Sequence, residues 1–310
     1  MRAYVLSYRG EEVENRHRIS LALWGQGGLY GYAGDPSLWT YMRSSAKPFQ
    51  ALALFLTGAA ERFHLEEEEV ALATASHDGT PKHVEVAAGF LAKLGLGPER
   101  LVCGVHPPFS KEARRALEER GLSPTPLHHN CSGKHTGMLA AALALEASIE
   151  GYERPEHPVQ RLNQKTLKAL SGVEPKIATD GCSVPTFALP LSRAARAFYL
   201  LARPKEAPEG YQEPLRRVGE AMRKYPGLVA GPGSIDTFLM EKLPLIAKRG
   251  ADGYYGMALL EGPRGPLGVA LKVEDGSAQA REVAVVALLR LLGLDPGPTP
   301  WDRPVLRNHC

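Results

Sequence analysis

The chain has 310 residues, 44% of them apolar and 23% charged, with a formal net charge of +3. That is one large domain or two smaller ones of ordinary globular composition, and the mild, dispersed charge argues against a nucleic-acid partner. No apolar stretch reaches membrane-spanning length, and the first residues lack the basic-then-apolar pattern of a secretion signal, so a cytoplasmic location is expected.

Short β-rich runs at 2–8, 17–24 and 29–32, parted by glycine-containing turns, predict three strands. Helical spacing of apolar residues follows at about 48–59, 84–94, 110–119, 134–146, 157–170, 188–202 and 211–223. The short run 177–179 before Asp180-Gly181-Cys182 predicts a strand ending in a turn. After Gly227, strand-like runs return at 245–248, 254–260 and 267–273, followed by a closing helix at 280–292 and an irregular tail from Asp295. The expected fold class is mixed α/β (α+β): an antiparallel sheet built from both chain ends, helices packed on it, and a helical middle. Residues 1–43 and 225–310 would form the sheet-containing part and 44–224 the mainly helical part, within one compact domain or as two, with the active site between them. Only four asparagines occur beside 25 prolines, which suggests a thermophilic source.

The first chemical signal is Ser44-Ser45-Ala46-Lys47, a Ser-x-x-Lys, paired at long range with Lys248-Arg249-Gly250. A hydroxyl needs a base beside it to act as a nucleophile near neutral pH. Three residues apart on a helix, Ser44 and Lys47 share a face. A lysine serves as base only if burial or a second cation lowers its pKa, and Lys248 would be that cation. Serine acyl-transferring enzymes of the β-lactamase type use this arrangement. Ser-x-x-Lys alone is common by chance; the apolar strip Ala51, Leu52, Leu54 and Phe55, with Pro48 in the first turn, places it where a helix enters the core.

The densest reactive cluster is His128-His129-Asn130-Cys131-Ser132-Gly133-Lys134-His135, and a second cysteine turn is Asp180-Gly181-Cys182. Chemistry alone nominates Cys131, Cys182 and His135, with His128 or His129, as zinc ligands. Structural thiols and helix caps are the competing reading. Cys103 reads as a packed thiol and Cys310 as an exposed one. Ser76-His77-Asp78-Gly79 offers a proton shuttle, or merely a turn that caps the following helix. Arg43 could bind a substrate carboxylate through both its nitrogens.

Taken together, Arg43–Gln50, Ala75–Gly79, Asn130–His135, Asp180–Cys182, Lys248–Gly253 and Gly268–Gly276 occur in one order that closely resembles the L-asparaginase II family of rhizobial inducible type. The resemblance implies a fold like that of serine β-lactamases and glutaminases. It implies hydrolysis of L-asparagine to L-aspartate and ammonia. It casts Ser44 as nucleophile, Lys47 as its base, and Ser76 and Lys248 as a second Ser–Lys pair. It implies zinc held by Cys131, Cys182 and Lys134, the last not chosen on chemical grounds. Arg43, His77, Asn130, His135 and Asp180 would be substrate-binding or flank the metal. A homodimer is also implied. Arg249 departs from the small or hydroxyl residue expected after Lys248. The rivals are a related serine amidohydrolase of glutaminase or β-lactam type, a catalytically inactive zinc-stabilised amino-acid-binding protein, and a cysteine–histidine hydrolase using Cys131 and His135.

Overall fold

In the computed structural model, which describes residues 2–302, the two ends of the chain meet in one sheet. The strands are β1 (Ala3–Arg9), β2 (Glu12–Gly25), β3 (Gly28–Ala33), β4 (Trp39–Tyr41), β5 (Lys176–Thr179), β6 (Pro185–Pro190), β7 (Leu245–Arg249), β8 (Tyr254–Leu259) and β9 (Leu267–Val273). Six of them form an antiparallel sheet, five in the order β1-β2-β9-β8-β7 and the sixth, β3, paired to β2. The long β2 pairs along one edge with β9. Along its other edge it pairs first with β1 and then with β3. The expected mixed α/β class and the sheet drawn from both ends are therefore borne out. Cys310 lies outside the described residues.

Burial explains why the sheet has this shape. β8 is buried at every residue and β9 at all but one, so both faces are covered. The Leu191–Ala202 helix lies on the face carrying Gly256 and Gly268, and the Ala278–Leu291 helix packs on β1, β8 and β9. β1 alternates half-buried and exposed residues, as an outer strand does.

The expected helix at 48–59 is instead a chain of short turns: a 3-10 turn at Arg43–Ala46, then Lys47–Gln50, Ala53–Leu56 and Ala59–Arg62. Residues 45–54 are buried without a polar face, so tertiary packing rather than helical periodicity shapes this segment. The expected helix at 188–202 begins only at Leu191; β6 precedes it and ends at Pro190. With β4 and β5, β6 forms a second, three-stranded sheet that the hydrophobic pattern does not predict. Among the described residues, two further helices of seven residues or more were not expected. Glu67–Ala73 begins with a capping box between Glu66 and Glu69. Ile235–Lys242 begins at Ser234, whose hydroxyl accepts from the Thr237 N–H.

Close packing of helix on sheet makes a sharp prediction. A Cβ on Gly268 would lie 2.0 Å from the Ala195 carbonyl oxygen and 2.1 Å from the Tyr199 nitrogen, both backbone atoms. Gly268→Ala should therefore cost about 3 kcal/mol or more in urea unfolding. Gly89→Ala, on the exposed side of the Pro81–Lys93 helix with open space around it, should instead stabilise by about 0.5–1 kcal/mol. A tolerated Gly268→Ala would refute the packing described.

Candidate active site

Ser44 sits in the 3-10 turn Arg43–Ala46, and Lys47 follows it directly. In a 3-10 turn residues three apart eclipse, so serine and lysine share a face more closely than in an α-helix. The turn is pinned on both sides. The Met42 N–H donates to the Phe187 carbonyl of β6 at 2.9 Å, and the Ser45 hydroxyl donates to the Lys248 carbonyl of β7 at 2.5 Å. Arg43 adopts a left-handed φ of 51°, sparsely populated by non-glycine residues. Its guanidinium is held by Asp180 at 2.9 Å and by Asp252.

Lys47 is 1% exposed. Its ammonium donates to the Ala75 carbonyl at 2.5 Å, the Ser76 hydroxyl at 2.8 Å and the Cys131 sulfur at 3.2 Å, using all three protons. Burial lowers its pKa, with Lys134 adding to the effect and the Cys131 thiolate opposing it. Ser44 makes no side-chain hydrogen bond among the described residues. Lys47 engages Ser76, while the Ser44 hydroxyl stands unpartnered on the cavity wall.

Lys248, on β7, is 0% exposed, and its Nζ has no hydrogen-bond partner. Its nearest counter-charge is Asp236, 3.7 Å away and equally buried. Asp236 is also held by other donors: the Arg249 N–H at 3.0 Å and 3.2 Å to its two oxygens, and the Tyr255 hydroxyl at 2.7 Å. Desolvation brings the Lys248 pKa down to about 7, although Asp236 pulls it upward; Lys47 nearby pushes it further down.

Behind Lys47 lies a sulfur layer. Lys134, on the Ser132–Ala144 helix, donates to the Cys182 sulfur at 2.9 Å, and the Cys131 sulfur meets Lys47 and the Asn130 Oδ1. The Cys182 side chain nearby holds the Cys131 thiol pKa far below its usual value; burial opposes the shift, and Lys47 and Lys134 support it. The histidines do not complete a metal site. Among the described residues, no three His, Cys, Asp or Glu groups converge as ligands. The chemically chosen set of Cys131, Cys182 and His135 is not among such groups. His135 Nδ1 bonds the Tyr152 hydroxyl at 2.7 Å, and its buried Nε2 lacks a partner. His129 accepts the Cys131 N–H at 3.0 Å, and His128 accepts the Thr125 N–H at 3.0 Å. Two thiols and the Lys134 amine nevertheless meet at one buried point, and sulfur and nitrogen donors are the types zinc prefers. Cys103 is a buried thiol, as expected, its pKa pushed up to about 12 by burial.

A cavity of about 370 Å³ opens onto these groups. It is lined by Ser44, Ser76 and Asn130, all expected at the site, and by Asp78, Phe109, Arg249, Gly250, Ala251 and Arg281. His77 is fully buried, bonding the Ser132 hydroxyl at 2.8 Å, and does not reach the cavity. Arg43, His135 and Asp180 are likewise absent from its wall. The following helix is capped by Thr80 with His83, not by Ser76 or Asp78. Asp236, Tyr255 and Arg281 were not foreseen. The serine that caps Ile235–Lys242 could have flagged Asp236, but nothing local flags Arg281.

A sequence profile of the family described as L-asparaginase II matches residues 5–307. No curated protein matches the chain. Among solved structures, the chain is similar to Mglu in its native form in the presence of 4.3M NaCl: 16% identity, 91% of this chain and 63% of that one covered, TM-score 0.50. It is similar to Mglu in its L-glutamate binding form at 17% identity, covering 91% and 61%, TM-score 0.49. A Bacillus subtilis glutaminase in covalent complex with 5-oxo-L-norleucine is 12% identical over 94% of this chain and 93% of that one, TM-score 0.45. At such identities the likeness to native Mglu speaks for the fold alone, and the chain spans 63% of the length of that protein.

The Lys248–Asp236 pair yields a pH-dependent prediction. Folded Lys248 loses its proton near 7, whereas an unfolded lysine keeps it to about 10.5. The unfolded state therefore binds more protons in that window, and this group lets stability rise with pH across it. Asp236→Asn removes the counter-charge. Its cost should be about 3 kcal/mol at pH 5, where Lys248 is charged and unpaired, and clearly smaller at pH 8.5, where the amine is neutral. Chemical denaturation at the two pH values checks this; equal costs would contradict it.

Proposed function

This chain belongs to the L-asparaginase II family of amidohydrolases acting on linear amides, and we propose that it hydrolyses the side-chain amide of L-asparagine to L-aspartate and ammonia through a Ser–Lys acyl-enzyme. One observation carries the reading: an unpartnered Ser44 hydroxyl and a Ser76 hydroxyl bonded to a buried lysine lie on the wall of the same cavity.

In this reading, Ser44 Oγ attacks the carboxamide carbon and its proton passes to the neutral amine of Lys47, its neighbour on the same face of the turn. Burial makes that neutral form accessible. Ser76 holds Lys47 in place and offers a route for the proton between the amine and the cavity. The tetrahedral oxyanion is met by backbone N–H groups, among them that of Ser44 in the first turn, where no helical carbonyl claims it. The C–N bond then breaks, the nitrogen takes the proton from Lys47, and ammonia leaves. Water, deprotonated by the same amine, cleaves the Ser44 ester and releases aspartate. Lys248 adds a like charge beside Lys47 whenever it is protonated, which favours the neutral form of its neighbour.

Zinc is proposed to be held by Cys131, Cys182 and Lys134. The two sulfurs outweigh burial and keep Lys134 protonated, so binding would displace a proton from it. When bound, zinc supplies positive charge beside the site and holds the two thiols as thiolates.

Ser44→Ala and Lys47→Met should each lower ammonia release from L-asparagine by about 10³-fold or more. Full activity in either variant refutes the assignment, and preference for L-glutamine would move the substrate up by one methylene. The rate kcat/KM should rise with pH to an alkaline plateau as Lys47, its pKa lowered by burial, sheds its proton. A flat profile from pH 5 to 9 contradicts the lysine-base reading. Elemental analysis should find about one zinc per chain, lost in Cys131→Ser and Cys182→Ser; zinc content unchanged in both variants would rule out these ligands.

A further inference from the structure

Besides the buried Arg281, two charged side chains on the cavity wall take no part in the chemistry above. Asp78 comes from the loop before the Pro81–Lys93 helix, and Arg249 from the end of β7, beside Lys248. Their contact is a single hydrogen bond, Arg249 Nη2 donating to Asp78 Oδ1 at 3.2 Å. It is the only side-chain hydrogen bond of that guanidinium among the described residues. An arginine fork suited to two-point recognition of a carboxylate is thus used at one point.

Both backbones are fixed while the charged ends stay open. The Arg249 N–H is held by both oxygens of the Asp236 carboxylate, and the Asp78 carbonyl accepts the Ser110 N–H at 2.8 Å. Gly231, at φ 145°, leaves the space that the Asp78 carboxylate occupies; a Cβ there would lie 2.3 Å from Oδ2. The side chains of Arg249 and Asp78 are 25% and 19% exposed. Burial raises the Asp78 pKa even with Arg249 beside it, so a further cation at this carboxylate would be favoured.

The other arginines near Ser44 are spoken for. Arg43 is clamped by Asp180 and Asp252 and lies off the cavity wall. Arg281, also on the wall, is buried and spends both terminal nitrogens, donating to the Gly250 carbonyl at 2.8 Å and to Glu282 at 3.2 Å, and only its buried Nε lacks a partner. Arg249 is left as the cation of the wall with an open fork, and Asp78 stands beside it.

We infer that Arg249 and Asp78 form the head-group clamp of this site, Arg249 taking the α-carboxylate and Asp78 the α-ammonium of a free α-amino-acid amide. The inference rests on the asparaginase reading above and narrows its substrate class. A zwitterion replaces one weak ion pair by two, each with its own partner. A peptide-linked asparagine or a simple amide lacks one or both charges and leaves the pair unanswered. Arg249 and Asp78 are thus binding residues that set which amides Ser44 meets.

The test crosses variants with substrates. Ammonia release is measured for wild type, Arg249→Met, Arg249→Lys and Asp78→Asn. The substrates are L-asparagine, 3-carbamoylpropanoate, which lacks the α-ammonium, and L-aspartic acid diamide, which lacks the carboxylate. In wild type, loss of either charge from the substrate should raise KM by about 10- to 100-fold. Arg249→Met should raise KM for L-asparagine by a similar factor with little change in kcat and become indifferent to the missing carboxylate. Asp78→Asn should become indifferent to the missing ammonium, and Arg249→Lys should recover part of the loss. Unchanged KM in Arg249→Met and Asp78→Asn, or undiminished discrimination in both, overturns the clamp. A purely structural ion pair would lower the melting temperature without that substrate-dependent pattern. If wild type releases ammonia from none of these amides, the asparaginase reading fails by itself. The clamp is then judged by calorimetric binding of L-aspartate. Weakening of about tenfold or more in Arg249→Met supports it; equal binding in the variant, or none in wild type, refutes it.

Discussion

Two lysine amines buried in one site impose conditions on everything packed round them. Each charged amine taken out of water is costly unless it is paired and hydrogen-bonded, and the two repel one another. Lys47 is met by a carbonyl, a hydroxyl and a thiolate. Lys248 is met only by the field of Asp236 at 3.7 Å, with no hydrogen bond of its own. The two are therefore unequal. Lys47 is organised to hold or release a proton toward a hydroxyl, and Lys248 is poised to lose one near neutral pH. The inequality follows from which donors and acceptors the fold delivers, since the side chains are chemically identical.

The fold delivers them through a few tight ties. The Ser45 hydroxyl bonds the carbonyl of Lys248, so the turn bearing Ser44 and the strand bearing the second lysine move as one body. The Asp236 carboxylate braces the start of one helix against the N–H of Arg249 and the hydroxyl of Tyr255, linking that helix to β7 and β8. The sulfur layer of Cys131 and Cys182 lies behind Lys47, so charge on the sulfurs is felt at the amine that contacts Ser76. Any change in the protonation or ligation of that layer is transmitted electrostatically across one hydrogen bond to the cavity.

Much of this was legible along the chain because the chemistry is local. Ser44 and Lys47 are three residues apart, and a turn of any helical kind puts them on one face. Cys131 and the Asp180–Cys182 turn announce themselves by composition, whereas Lys134 came only with the family resemblance. What was misread turned on context. The segment 48–59 carries apolar residues at helical spacing, yet it is buried on nearly all sides, and packing breaks it into short turns. The run 188–202 has no periodic break at Pro190, where a strand gives way to a helix. Asp236 and Arg281 have ordinary sequence neighbours and become significant only where β7 and the last helix bring them in.

The sequence by itself determined the class of fold, since strand-like patterns at both ends flank a helical middle and strands must pair to satisfy their backbone groups; that β2 of one end meets β9 of the other was decided by the tertiary structure. The sequence also determined the set of reactive groups, because hydroxyl, amine and thiol chemistry resides in residue type. Only the tertiary structure decided the partners: that Lys47 reaches Ser76 and Cys131, that Lys248 faces Asp236, and that Arg249 meets Asp78 across 171 positions. Hydrogen bonds and charge shifts depend on distance and burial to within an ångström or so, and no local pattern carries that information.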